Sequence, residues 1–294
     1  MALYTSYDTV GIKEDISDII TNLTPTKTPF QTLCGTDKTK NRTFQWMEDS
    51  LRAVQVNAKI EGFTASSATL TPPTMRTGYV QILEKTIQVT ATEDAVDQYG
   101  RAKETAYQLT KGMAEVKRDL EHACVGLLQA ATVGDNSTAR LLTSSGSQVA
   151  AGNTTAGGTA ALTEAMILAN GQAVFNAGGD PTVLMIKPAD SIIVAGFTGA
   201  SGRARAFNDG QKTVTNAVNL YVSPFGEYKV SINRFMKTTN AMLLDPDMWS
   251  LVYLRPFTRE VLAKTGDNTS HMIVGEVGLK NKNQSGNGLI NALT

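Results

Sequence analysis

The sequence predicts an α+β fold. One long amphipathic helix stands between two stretches of strand-like alternation, and no regular strand–helix–strand repeat points to a doubly wound parallel sheet. The helix signal is the stripe Ala102, Ala106, Leu109, Met113, Val116, Leu120, Ala123 and Leu127. Its steps of three and four describe a helix of roughly 25–30 residues, about 40 Å long. The strand signals are Phe44/Trp46, Val54/Val56, Val80/Ile82 and Ile87/Val89 before it, and the runs 229–233, 241–244, 248–254, 258–264 and 270–279 after it.

Taken in order, residues 1–40 read as an extended arm carrying one short helix around Asp15–Ile20, stopped by Pro25 and Pro29. Each proline lacks an N–H and biases its predecessor towards extended geometry. Residues 41–92 read as a long two-stranded excursion whose flexible tip is the Ser-, Thr- and Pro-rich stretch Gly62–Gly78. Two strands alone bury too little apolar surface to offset the entropy of ordering them, so arm and ribbon both need a partner. On the central helix the polar face holds Lys111/Glu115 and Lys117/Glu121 at i,i+4, each pair worth a few tenths of a kcal/mol. Residues 134–160 are a Gly-, Ser-, Thr-, Asn- and Ala-rich connector, expected to be a boundary or an exposed excursion. A second α/β stretch follows, with a helix over 162–177 stopped by Gly178-Gly179-Asp180-Pro181, a buried strand over 182–186 and a helix over 188–195 opened by Pro188. The Gly/Arg-rich loop Gly196–Gly210 comes next, and strands return after it.

The 294 residues, 41% hydrophobic, suffice for two sub-domains. Lys plus Arg is 27 and Asp plus Glu is 27, so no overall field steers the chain to nucleic acid or an anionic membrane. The charged fraction of 18% is low, which suits surfaces buried against neighbouring copies. Cys34 and Cys124 lie outside any CxxC or Cys/His cluster and read as reduced thiols. No apolar run is long enough to span a membrane, and Met1–Asp18 has no secretory pattern.

Catalytic, cofactor-binding and metal-ligating residues are all expected to be none. His122 and His271 stand far apart without further donors nearby, whereas a metal site needs several converging. No GxSxG elbow, HExxH, GK[ST] phosphate loop or GxGxxG occurs. Gly196-Phe-Thr-Gly199-Ala-Ser-Gly202-Arg203-Ala-Arg205 reads as a loop with solvated or intersubunit arginines in preference to a phosphate cradle. Asp245-Pro246-Asp247 reads as a turn, and Glu93/Asp94 as an ordinary acidic pair. Trp46 and Trp249 sit in apolar alternation as packing anchors. Lys59 and Lys85 are expected at a solvated face or against a neighbouring subunit.

The order of parts, together with three stretches, resembles the Hong Kong 97-type major capsid proteins of tailed bacteriophages. The stretches are Asp15-Ile-Ser-Asp-Ile-Ile-Thr-Asn-Leu-Thr-Pro-Thr-Lys-Thr-Pro-Phe30, Ala91-Thr-Glu-Asp-Ala-Val-Asp-Gln-Tyr-Gly-Arg101 and Leu243-Leu-Asp-Pro-Asp-Met-Trp-Ser-Leu-Val-Tyr-Leu-Arg-Pro256. The resemblance implies an N-terminal arm (1–40), an extended β-loop (41–92), a peripheral domain with the spine helix (93–134), an axial domain (135–235) and return strands of the peripheral domain (236–294). It implies self-assembly into the hexamers and pentamers of an icosahedral shell around double-stranded DNA. The expected partners are further copies, a separate scaffolding protein because an arm of 40 residues leaves no room for a long helical pro-segment, a portal, a decoration protein and non-specifically held DNA, with no membrane. The place is the virion, assembled in the bacterial cytoplasm. An encapsulin-like nanocompartment, an enzyme with an unfamiliar site and a virion decoration protein are the rival readings.

Overall fold

A computed structural model of the chain describes residues 24–65, 67, 70–98, 100, 103–197 and 220–294. The short helix expected at Asp15–Ile20, the head of the stripe at Ala102, and the 196–210 loop beyond Phe197 lie outside the described residues.

Two sheets carry the fold. The first has four strands in the order β1-β10-β11-β4: β1 Gly35–Lys38, β4 Gln81–Thr90, β10 Trp249–Val261 and β11 Asn268–Asn281. Its long antiparallel ladders, β10 on β11 and β11 on β4, are joined at the edge by β1 running parallel to β10 from Gly35↔Ser250 to Lys38↔Tyr253. The second sheet has six strands in the order β5-β12-β9-β6-β8-β7. These are β5 Thr154–Ala160, β6 Val183–Ile186, β7 Leu220–Ser223, β8 Gly226–Ile232, β9 Ala241–Leu244 and β12 Gly288–Leu293. A separate ribbon pairs β2 Thr43–Glu48 with β3 Thr74–Tyr79.

The helices attach to these sheets. α1 (Pro29–Leu33) follows the arm, α2 (Ala91–Ala95) leaves β4, and α3 (Glu104–Glu121) lies across the four-stranded sheet. α4 (Glu164–Asn176), whose N-cap Thr163 accepts from the Met166 amide, and α5 (Pro188–Ala195) belong to the six-stranded sheet. The main core lies between the sheets and gathers Phe30, Leu120, Met185, Met242, Trp249 and Leu279. A second core holds Leu184, Ile186, Tyr228 and Ile290 with Ile167 of α4 and Val194 of α5.

Several expectations change. The 41–92 segment is not one β-loop: its last part, β4, belongs to the four-stranded sheet, because Ile87 and Val89 find Val116 and Ile273 there. Val54 and Val56 form no strand, since residues 49–60 have no ladder partner in the subunit. The return segment 236–294 divides as well. Only β10 and β11 join the four-stranded sheet, while β9 and β12 complete the six-stranded one. The runs 248–254 and 258–264 are one strand, β10, with register shifts between Tyr253 and Thr258 that accommodate Pro256.

The central helix is α-helical for 18 residues and then passes into a π turn, His122–Gly126. Of the stripe, Val116, Leu120 and Ala123 are buried, whereas Ala106, Met113 and Leu127 are exposed. Gly112 faces the sheet in place of Met113: a Cβ there would lie 2.8 Å from Ile87 Cδ1, so the missing side chain is what lets the helix approach this closely. The 134–160 connector is also corrected. It carries two short 3₁₀ turns and β5, and Ser144, Ser145, Gln148 and Asn153 within it are buried.

Candidate assembly surfaces

The ribbon is fastened at its base and free at its tip. Phe44 is 8% exposed, packs with Val80 and Val252, and stacks on Trp46 at 5.7 Å. Its ring lies over two glycines: a Cβ on Gly78 or on Gly278 would each come within 2.5 Å of it. Arg76 Nε donates to Glu48 Oε2 at 2.7 Å, and Glu48 Oε1 accepts from the Gln284 amide at 3.0 Å, tying the stem to the turn before β12. Beyond Glu48 the support ends. Leu51, Val54, Val56, Ile60 and Leu70 are 98%, 100%, 94%, 81% and 86% exposed. Isolated exposed apolar residues are ordinary, but a run of them along the described residues of the 49–73 excursion, outside any ladder, is the mark of a contact surface.

The arm is held by a buried carboxylate. Glu121, expected to pair with Lys117 on a solvated face, is 0% exposed. Its Oε1 accepts from the Phe30 amide at 2.8 Å and from Asn233 Nδ2 at 2.6 Å, and its Oε2 accepts from the Gln31 amide at 3.1 Å. Gln31 Nε2 donates to the Lys117 carbonyl at 2.7 Å, and Phe30 meets Trp249 edge-on at 5.6 Å. Glu121 thus fixes the first turn of α1 to the end of α3 and to the end of β8. Burial pushes its carboxyl above the ordinary range, against the opposing pull of the Phe30 and Gln31 amides. Burial likewise raises the thiols of Cys34 and Cys124, with the Glu121 charge adding to it, and both cysteines are free.

The residues weighed for chemistry are dispersed. His122 is exposed in the π turn, and His271 is buried on β11 opposite Ile87 and Val261. Asp94 accepts from the Thr105 hydroxyl at 2.6 Å and amide at 3.1 Å, bonds that hold its carboxyl below the ordinary range and join α2 to α3. Glu93 accepts from Gln98 Nε2. Asp245 caps a 3₁₀ turn by accepting from the Asp247 amide at 3.1 Å, and burial raises its carboxyl. Trp249 is 1% exposed and donates to Asn287 Oδ1 at 2.8 Å, so both tryptophans are packing anchors. Lys85 pairs with Glu115 of its own α3 at 3.1 Å. Glu276 is bound by Arg140 at 2.9 Å and Arg255 at 2.7 Å, an ion-pair triad that ties the 127–153 connector and β10 to β11.

Among the described residues no three His, Cys, Asp or Glu side chains converge as a metal site, and no helix is long and apolar enough to cross a membrane. The polar groove at the ribbon base, lined by Glu48, Asp49, Leu51, Pro72, Arg76 and Ser285, sets the Glu48 carboxylate against its arginine and the Gln284 amide. What the geometry offers is therefore surface for association. Sequence reasoning missed the Glu121 clasp and the burial of Ser144, Ser145, Gln148 and Asn153, because neither leaves a periodic signal in the chain.

Comparison with known proteins agrees with this. The family model for the SU10 major capsid protein matches residues 3–294. The major capsid protein of Escherichia phage Phieco32 is 30% identical over 338 aligned positions, covering 98% of this chain and 96% of that one. Among solved structures, the cyanophage A-1(L) capsid asymmetric unit superposes with a TM-score of 0.70 at 13% identity, covering 99% of this chain and 98% of that one. The capsid of a native GTA particle gives 0.67 at 12% identity, covering 96% of each chain. These likenesses establish the Hong Kong 97-like capsid fold.

Proposed function

From the premise that this chain belongs to the SU10 major capsid protein family, the structural subunits of phage heads, we propose that its copies join through the ribbon and the arm into the hexamers and pentamers of an icosahedral shell around double-stranded DNA. The observation that carries this reading is the 49–73 excursion: Leu51, Val54 and Val56 are at least 94% exposed on backbone that has no ladder partner in its own subunit. A neighbouring copy supplies the missing cover, and many modest contacts of this kind become strong through multivalency.

In this reading the four-stranded sheet with α3 is the peripheral domain and the six-stranded sheet with α4 and α5 is the axial domain, the excursion reaching over the adjacent subunit. The chain catalyses nothing and holds no cofactor. It assembles in the host cytoplasm with a separate scaffolding protein, a portal and a decoration protein. With a formal charge of zero, its DNA contact is local, non-specific and salt-sensitive.

Negative-stain electron microscopy of the purified full chain, with and without a co-expressed scaffolding protein and alongside light scattering, tests the reading. Closed shells, tubes or rings of five or six subunits are expected, with nucleic acid in particles purified from infected cells. A species that stays monomeric or dimeric under every condition overturns it, and particles filled with protein instead of nucleic acid turn it to a nanocompartment.

A further inference from the structure

The chain passes between its two sheets three times: from α3 to β5 through 127–153, from β9 to β10 through 245–248, and from β11 to β12 through 282–287. All three crossings meet at one buried residue, Asn287, which is 0% exposed, two of them at its side chain and the first at its backbone carbonyl. Its Oδ1 accepts from the Asp245 amide at 2.9 Å, at the end of the six-stranded sheet's β9, and from Trp249 Nε1 at 2.8 Å, on the first residue of the four-stranded sheet's β10. Its Nδ2 donates to Asn281 Oδ1 at 3.3 Å, on the last residue of β11, and its carbonyl accepts from Asn153 Nδ2 at 3.2 Å, just before β5. Asn281 in turn bonds twice to Gln148, at 3.0 Å each.

Apart from the Glu121–Asn233 bond between the end of α3 and the end of β8, the rest of the inter-sheet contact is different in kind. Each sheet is rigid within its own ladders, but what lies between them is largely apolar packing of Met185, Met242, Leu251 and Leu279. Such packing is attractive without being directional, and it tolerates a small rotation of one sheet over the other. Hydrogen bonds at these distances do not, because they weaken steeply as donor and acceptor turn out of line, and a fully connected buried network selects one arrangement. Asn287 touches both sheets through one planar group, so any rotation between them strains it.

We propose that Asn287 is the pivot that fixes the angle between the two sheets and, through that angle, the curvature of the shell. The inference rests on the shell-forming reading above. The ribbon springs from the four-stranded sheet, while Leu220 and Val222, 52% and 53% exposed, stand on the edge strand of the six-stranded one. The inter-sheet angle therefore sets how these two surfaces of one subunit are presented to neighbouring copies. In a closed assembly a small error in that angle repeats at every contact and changes where the surface closes. Asn287 is thus a positioning residue for assembly, separate from the surfaces that make the contacts.

The test measures shell diameters by electron microscopy and thermal stability by scanning calorimetry for the full-length wild type, Asn287→Ala and Trp249→Phe, assembled under identical conditions. Trp249→Phe keeps an aromatic ring against Phe30, removes the indole N–H that Asn287 accepts, and leaves a smaller ring in the same buried space. The expected result is one narrow diameter class for wild type, a several-fold broader or displaced distribution for Asn287→Ala, and a smaller change in the same direction for Trp249→Phe. A residue that merely stabilised the fold would lower the melting temperature and the yield while the shells that form keep the wild-type diameter, and that outcome overturns the proposal. If Asn287→Ala fails to fold, Trp249→Phe decides it: unchanged narrow shells overturn it, broadened ones support it. A wild type that never closes into shells overturns the shell-forming reading itself, and this proposal with it.

Discussion

The 49–73 excursion and the Asn287 crossing sit at opposite extremes of one chain. In the first, apolar residues stand in water; in the second, polar residues stand in the core. Each inverts the ordinary rule, and each inversion has a partner that resolves it. Asn287, Asn281, Asn153 and Gln148 find theirs inside the subunit, with bonds of 2.7–3.3 Å. Leu51, Val54 and Val56 find none there. The difference separates what the subunit completes on folding from what it leaves for assembly, and a substitution on either side should read out differently.

The largest expected effect is on assembly alone. Val54→Asp with Val56→Asp places two charges on residues 100% and 94% exposed, so the isolated subunit should keep its unfolding free energy to within about 0.5 kcal/mol. Charges driven into an intersubunit surface without partners oppose association strongly, and every copy carries them. Shells should vanish from electron micrographs while the circular dichroism spectrum is unchanged. Normal shells from this variant would break the comparison at its root.

At the ribbon base the order reverses. Phe44 is buried against Val80 and Val252 and over Gly78 and Gly278. Phe44→Ala should cost the subunit about 3–5 kcal/mol in chemical denaturation, because nothing nearby collapses readily into the space left by a ring lying over two glycines. Fast hydrogen exchange should appear first at the β2 and β3 amides. A cost below about 1 kcal/mol would mean that the stem, like the tip, is completed only by a neighbour.

How much of this was legible in the sequence follows the same division. Periodicity located α3, and continuous apolar runs with Gly/Pro punctuation located α4, α5, β6 and β9, because those elements complete their burial within the subunit. It misread Val54/Val56 as a strand, since alternation records a wish for a partner and not where the partner is. It placed Glu121 on a solvated face because helical spacing from Lys117 says nothing about the arm arriving from ninety residues away. It read 134–160 as an open connector because Ser, Asn and Gln look alike in water and in a core; only the bonds of Ser144, Ser145, Gln148 and Asn153 distinguish the two.

The arm lies between the extremes, tied by one clasp. Glu121→Ala leaves the Phe30 and Gln31 amides and Asn233 Nδ2 without their acceptor. The expected loss is about 2–3 kcal/mol, the order of cost for buried donors left unpaired, with limited proteolysis opening the chain near residue 30. Glu121→Gln keeps one acceptor oxygen and removes the charge, so it should retain most of the protection.

The smallest effect, and the one that tests the clasp most directly, is its pH dependence. Burial raises the Glu121 carboxyl in the folded subunit above its ordinary 4.5. A group whose folded pKa is raised takes up a proton on folding, so its contribution favours the folded, arm-docked state as pH falls from above the folded value towards 4.5 and costs stability above that window. The titratable groups coupled to its charge are the Cys34 and Cys124 thiols, to which Tyr253 on β10 is coupled in turn. The two thiols and Tyr253 are all pushed upward and remain neutral across that range, so they add nothing to it. Arm protection measured by proteolysis should therefore rise from pH 8 to pH 5 more in wild type than in Glu121→Gln. Equal slopes for the two proteins would mean that the clasp is held by geometry alone, and that docking of the arm is insensitive to the charge it encloses.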